Sequence, residues 1–175
     1  MEIQHVTIDT DYSQEFSLYS DGGMLYKFIK HPDSLNPYEN DLFCLSQLAG
    51  LAADIVNEHD GDVSEEYFLT EDFSNKISHI HYYGDIMAHT RFQKPLLDWL
   101  QIPITVYNQI SVMLLANLFS NDQILPSLLH VRNQLEEQKT ILGNSLTSFL
   151  DQTALAEYKK SSWQDVKEIR KRLFF

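Results

Sequence analysis

Histidines and a carboxylate crowd into one short stretch of this 175-residue chain, at His79, His81, Asp85 and His89. If residues 76–83 form a strand, His79 and His81 point to one face, where two imidazoles can bind a metal ion. If the stretch is a helix, His81, Asp85 and His89 stack at i, i+4 and i+8 instead. The alternation of residues 76–83 favours the strand. Because no second ligand cluster accompanies these residues, we favour surface or interface histidines and predict no metal or other cofactor.

The pair His59-Asp60 offers a second metal pattern. Metal-dependent phosphohydrolases of the HD type use a histidine followed by a His-Asp pair, and His31 precedes this pair by 28 residues. Its polar neighbours and Gly61 indicate an exposed helix end, whereas a metal site needs a buried, oriented setting. A small metal-dependent hydrolase that uses either His/Asp set is therefore the alternative function.

Nucleophilic and phosphate-binding chemistry have little support. Cys44 lies in an apolar stretch, where a cysteine is usually a small core residue. The chain has no Gly-x-Ser-x-Gly motif. The glycines after Asp21 lead into a strand pattern without the lysine and serine of a P-loop, so they predict a hairpin turn. The catalytic residues are therefore unknown, and the sequence favours a protein that is not an enzyme.

The whole chain has a formal net charge of −12, and its acidic residues are concentrated in the first half. Residues 1–75 hold 16 acidic residues against Lys27 and Lys30 alone, whereas residues 76–175 hold nine acidic and eleven basic residues. Such a negative potential repels phosphates, so direct nucleic-acid binding through this half is disfavoured. The same potential steers a basic protein partner toward it.

The densest acidic stretch lies between residues 58 and 72. It lacks the Asp-x-Asp-x-Asp-Gly loop of a calcium site. We expect a solvated acidic face on which aromatic rings anchor a basic partner. The predicted partner-binding residues are Asp60, Asp62, Glu65, Glu66, Tyr67, Phe68, Glu71 and Asp72. The function expected from this face is that of a non-enzymatic protein-binding module of the inhibitor, immunity-like, adaptor or chaperone type.

The C-terminal residues form a basic amphipathic pattern. Trp163, Val166, Ile169 and Leu173 recur at helical spacing among lysines and arginines. We predict a helix from Ser161 or Ser162 that packs its apolar stripe on its own domain. Contact with a membrane surface is the alternative.

The strand-like and helical patterns along the chain predict an α+β fold. A small N-terminal antiparallel sheet of two or three strands comes before a mainly helical C-terminal part. We predict a single domain over residues 1–175, β-rich over 1–30, helical over 40–60 and mainly helical over 85–175. Asn40 or Asp41 is expected to cap the first helix. The apolar residues 110–119 indicate a core helix or an interface, so the oligomeric state stays open.

The expected cellular compartment follows from features that the sequence lacks. There is one cysteine, no secretory signal pattern and no apolar run of the roughly 20 residues that span a bilayer. We expect a cytoplasmic protein without a transmembrane segment.

Overall fold

The computed structural model describes residues 2–7, 23–27, 35–83, 92–121, 124–151 and 155–175. These residues fall into two compact units, one of residues 1–34 and 122–161 and the other of residues 35–121 and 162–175. The single-domain prediction for residues 1–175 stays a prediction. In chain order the elements are β1 (Glu2–Thr7), β2 (Gly23–Lys27), α1 (Pro37–Gln47), α2 (Ala49–Glu58), a 3₁₀ helix (Glu65–Leu69), α3 (Glu71–Tyr83), α4 (Lys94–Leu100), α5 (Ile104–Phe119), α6 (Leu125–Gln138), β3 (Thr140–Leu142), α7 (Gly143–Asp151) and α8 (Leu155–Phe174).

The first unit contains a small sheet, helices α6 and α7, and residues 155–161 of α8. Its strand order is β2-β1-β3, and both pairs are antiparallel. In the second pair, Val6 lies opposite Ile141, whose side chain is buried. Helix α7 packs against β1, and α6 packs against β3.

The predicted α+β class, with an N-terminal sheet followed by helices, is wrong. Helices dominate the described residues, and the strands have only 6, 5 and 3 residues. The third strand comes from residues 140–142, between two helices, so the sheet is not an N-terminal block. Alternation of polar and apolar residues shows only which side chains of a strand share a face. It does not show that β3, far along the chain, pairs with β1. Residues 8–22 of the stretch predicted to be β-rich lie outside the described residues.

The second unit begins with a well-capped helix. The side-chain oxygen of Asn36 accepts a hydrogen bond from the Glu39 N–H at 2.9 Å, and the Glu39 carboxylate accepts one from the Asn36 N–H at 3.1 Å. This reciprocal capping box and Pro37 in the first turn set the start of α1. The prediction that Asn40 or Asp41 caps the helix is wrong, because both lie inside it and the Asp41 side chain is buried.

Helix α5 is the centre of this unit. It packs on α2 and α3, and α1 packs on α4. Tyr107, Val112 and Ala116 on α5 are fully buried, as are Ala52 and Ile55 on α2. The prediction of a very apolar helix ending at Phe119 is confirmed. The helix buries Tyr107, Val112, Leu115 and Ala116, whereas Val106 near its start is 41% exposed.

A buried polar network joins α1, α5 and α8. The Arg170 guanidinium donates from Nε to the Asp41 Oδ2 at 3.0 Å, and its Nη2 contacts the Asp41 Oδ1. Its Nη1 donates to the Ser111 Oγ at 2.8 Å, and the Tyr107 hydroxyl donates to the Asp41 Oδ1 at 2.8 Å. The guanidinium carbon lies 4.8 Å from the Tyr107 ring centre and 4.4 Å from that of Phe174. All the Arg170 and Asp41 side-chain surface is buried.

Residues 76–83 are helical, so the strand predicted there is wrong. The Thr70 Oγ1 accepts a hydrogen bond from the Phe73 N–H at 3.2 Å, which caps the start of α3. Phe73 and Ile77, four residues apart, are both buried and form the core face of this helix. Burial of this pair favours a helix more strongly than the alternation of residues 76–83 favours a strand.

No single helix in the described ranges is long and apolar enough to cross a bilayer. Helices α4 and α5 meet the length and composition criteria only as a pair, and the pair bends by 101°.

Candidate partner-binding face

The acidic segment, defined as residues 60–72, begins at a tight turn that ends α2. Asp60 and Gly61 both have positive φ, 52° and 88°. The Gly61 N–H donates to the Val56 carbonyl at 2.8 Å, which satisfies a carbonyl at the end of the helix. The predicted end of this helix near residues 59–61 is confirmed.

The 3₁₀ helix in this segment is held at both ends by side-chain hydrogen bonds. The Ser64 Oγ accepts a hydrogen bond from the Tyr67 N–H at 3.3 Å. The Thr70 Oγ1 donates to the Tyr67 carbonyl at 2.7 Å before α3 begins. Because these bonds satisfy main-chain groups at both ends, the segment has a defined backbone path.

An aromatic cluster supports the segment from below. Tyr67 and Phe68 are buried, with 9% and 3% of their surface exposed. Their ring centres lie 5.8 Å and 5.2 Å from that of Phe73, and the His59 ring lies 4.3 Å from Tyr67. The structure therefore places Tyr67 and Phe68 in the core, where they support the segment from below and expose little ring surface.

The predicted carboxylates all lie at the surface. Asp60, Asp62, Glu65, Glu66, Glu71 and Asp72 are exposed. Asp72 accepts a hydrogen bond from the Tyr67 hydroxyl at 2.9 Å, and burial together with this bond raises the pKa of that hydroxyl. Glu58, just before the segment, forms an ion pair with Lys76. Within the described ranges, none of the other five carboxylates has an ion-pair partner, so their negative potential is not neutralised locally.

Leu69 is the apolar residue that the sequence analysis missed. It is 86% exposed, more than any other large hydrophobic side chain in the described ranges. It ends the 3₁₀ helix, with Glu65 and Glu66 before it and Glu71 and Asp72 after it. The sequence alone only weakly indicates that Leu69 is exposed, because Leu69 follows two aromatic residues and resembles a further member of their buried cluster. The arrangement can present an apolar anchor among unpaired carboxylates.

The residues considered for a metal site do not form one in the part of the chain that the structure describes. No group of three His, Cys, Asp or Glu residues there is placed to hold a metal ion. His79 and His81 lie on α3, and positions two apart on a helix face in different directions, so the strand geometry predicted for them is wrong. The His59 ring packs on Tyr67, while the Asp60 side chain is exposed. His31, Asp85 and His89 lie outside the described residues.

Cys44 lies in the core of the unit with 4% of its surface exposed. Burial, followed by the nearby Asp41 carboxylate, raises the pKa of its thiol to about 12. A thiol in that state is a poor nucleophile, because the thiolate is the reactive form. The structure therefore agrees with the interpretation of Cys44 as a core residue.

Comparison with protein-family models, with curated proteins and with solved structures finds no match to this chain.

Proposed function

We propose that the acidic segment is the docking face of a protein-binding module for a basic partner. The observation that carries this proposal is Leu69, an 86% exposed leucine flanked by exposed carboxylates on a backbone held by capping bonds. A leucine costs free energy when it stays in water, and a partner that covers it recovers that free energy. The carboxylates supply long-range attraction to lysine and arginine.

Two steps follow from this arrangement. The unpaired carboxylates raise the rate of encounter with a basic surface, and salt weakens this effect by screening. Leu69 is then buried in an apolar site of the partner, which slows dissociation. Because the segment is held by its caps and its aromatic support, little backbone ordering opposes binding. No observation favours the metal-dependent hydrolase over this function, and the cytoplasmic location stays a prediction.

The test separates the two contributions kinetically. Partners are first captured from the source cell on the immobilised chain, and one purified partner is then measured by surface plasmon resonance. We expect Glu65→Lys/Glu66→Lys to lower the association rate about tenfold at low salt, because it reverses two steering charges. We expect Leu69→Ser to leave the association rate unchanged and to raise the dissociation rate.

Two matched controls make the result specific to this face. Asp98→Lys/Glu137→Lys changes net charge by the same amount at two exposed positions elsewhere. Leu129→Ser removes another exposed leucine, which is 42% exposed on α6. If these controls reduce binding as much as the segment variants do, or if salt leaves the association rate unchanged, the proposed face is wrong.

A further inference from the structure

The C-terminal part of α8 has an apolar face that its own unit does not cover. Val166 and Arg170 are buried, with 6% and 0% of their surface exposed. Ile169 and Leu173 are 41% and 54% exposed. The predicted packing of the apolar stripe on its own domain is confirmed for Val166, whereas Ile169 and Leu173 of the same stripe are not covered. The buried Arg170 takes the inward position, and two large aliphatic side chains face solvent.

Charged residues border this uncovered face in a directional pattern. Asp165 and Arg172 are both exposed, and neither has an ion-pair partner among the described residues. Steps of four, three and one residues separate Asp165, Ile169, Arg172 and Leu173. This spacing places all four on one side of a helix. The acidic residue lies toward the N-terminal end of the face and the basic residue toward its C-terminal end.

We propose that this face is a docking surface for a second copy of the same chain, with the two α8 helices antiparallel about a twofold axis. An axis near Ile169 brings Asp165 of each copy toward Arg172 of the other, so that one interaction occurs twice. Ile169 of both copies then lies between the two charge pairs, and Leu173 of each copy lies just beyond them, next to Arg172. A pattern of acid, aliphatic and base is complementary to itself only when the second helix runs in the opposite direction.

The charge pattern favours a second copy over a lipid surface. An anionic membrane attracts lysine and arginine but repels Asp165, which borders the same face. Net repulsion between two acidic copies is screened over about 8 Å at physiological salt, whereas the paired charges are in contact.

The test is sedimentation equilibrium of the purified full chain over a range of concentrations, with a charge-swap series. We expect a concentration-dependent dimer. Arg172→Glu and Asp165→Arg should each raise its dissociation constant about tenfold, because each places like charges together. The double variant Asp165→Arg/Arg172→Glu should restore dimerisation, since both charge pairs re-form with the signs exchanged.

Apolar substitutions provide the matched control. Ile169→Asp should give a monomer, whereas Val106→Asp, at a position that is also 41% exposed, should leave the dimer unchanged. Circular dichroism of each variant shows whether it is folded. A wild-type chain that stays monomeric at all concentrations, or a dimer that the charge swap does not restore, overturns the proposal. A monomer that binds vesicles containing phosphatidylserine also overturns it, because lipid is then the occupant.

Discussion

Replacing Arg170 by methionine should strongly destabilise the second unit, because it leaves a buried carboxylate without its cation. Arg170 and Asp41 are 129 residues apart in the chain, and both are fully buried. After Arg170→Met, the Asp41 carboxylate retains the Tyr107 hydroxyl at 2.8 Å but loses both guanidinium contacts. Breaking a buried ion pair in this way costs about 3–5 kcal/mol of unfolding free energy.

The double variant Asp41→Leu/Arg170→Met distinguishes a buried charge from simple loss of packing. It removes both charges and replaces them by apolar side chains, which is often neutral or stabilising in other buried pairs. The Tyr107 hydroxyl keeps the main-chain carbonyl of residue 41 at 3.3 Å, and the Ser111 Oγ still donates to the Tyr107 carbonyl at 2.6 Å. We therefore expect the double variant to recover most of the stability that the single variant loses.

Urea unfolding followed by tryptophan fluorescence measures this effect. Both tryptophans, Trp99 and Trp163, belong to the second unit, so the signal reports on the part that contains the network. With a urea dependence of about 2 kcal/mol per molar, the Arg170→Met midpoint should fall by about 2 M. Lys171→Met, at the exposed neighbouring position, should change stability by less than about 0.5 kcal/mol. A double variant as unstable as Arg170→Met alone would refute the reasoning.

Two further predictions concern buried titratable groups. Cys44 should react with a disulfide reagent at pH 8 at least about 100-fold more slowly in the folded protein than in urea, because its thiol is buried and its pKa is raised; labelling at the rate of a free thiol would contradict its core position. Burial also raises the pKa of the Tyr67 and Tyr107 hydroxyls above the ordinary value of 10.0, so the unfolded chain ionises first and stability should fall as pH rises above 10. Urea midpoints measured between pH 9 and 11 should fall less steeply for Tyr67→Phe than for the wild type, and equal slopes would count against this explanation.

Several helices were predictable because local and tertiary preferences agree. The apolar residues of α5 and the periodic C-terminal residues both form helices, although α8 begins at Leu155 rather than at Ser161 or Ser162. The helix predicted over 40–60 is instead two helices, with a break at Leu48. A break of one residue leaves the apolar spacing almost unchanged, so periodicity does not reveal it.

The candidate site was predictable in its charges but not in its anchor. Solvation keeps carboxylates such as Glu65 and Glu66 at the surface, so their exposure follows from their type. Whether an apolar side chain is buried depends on neighbours distant in sequence. Tyr67 and Phe68 find Phe73 and the core, while Leu69 ends a 3₁₀ helix and points away from it.

The amino-acid sequence alone determined the uneven charge distribution and the apolar periodicity of the longest helices, because these depend on residues within a few positions of one another. Only the tertiary structure decided that β3 completes the sheet, that Asp41 meets Arg170 in the core, and that Leu69 remains in water. These outcomes depend on which distant surfaces pack together, and a residue's own type and near neighbours do not specify that packing.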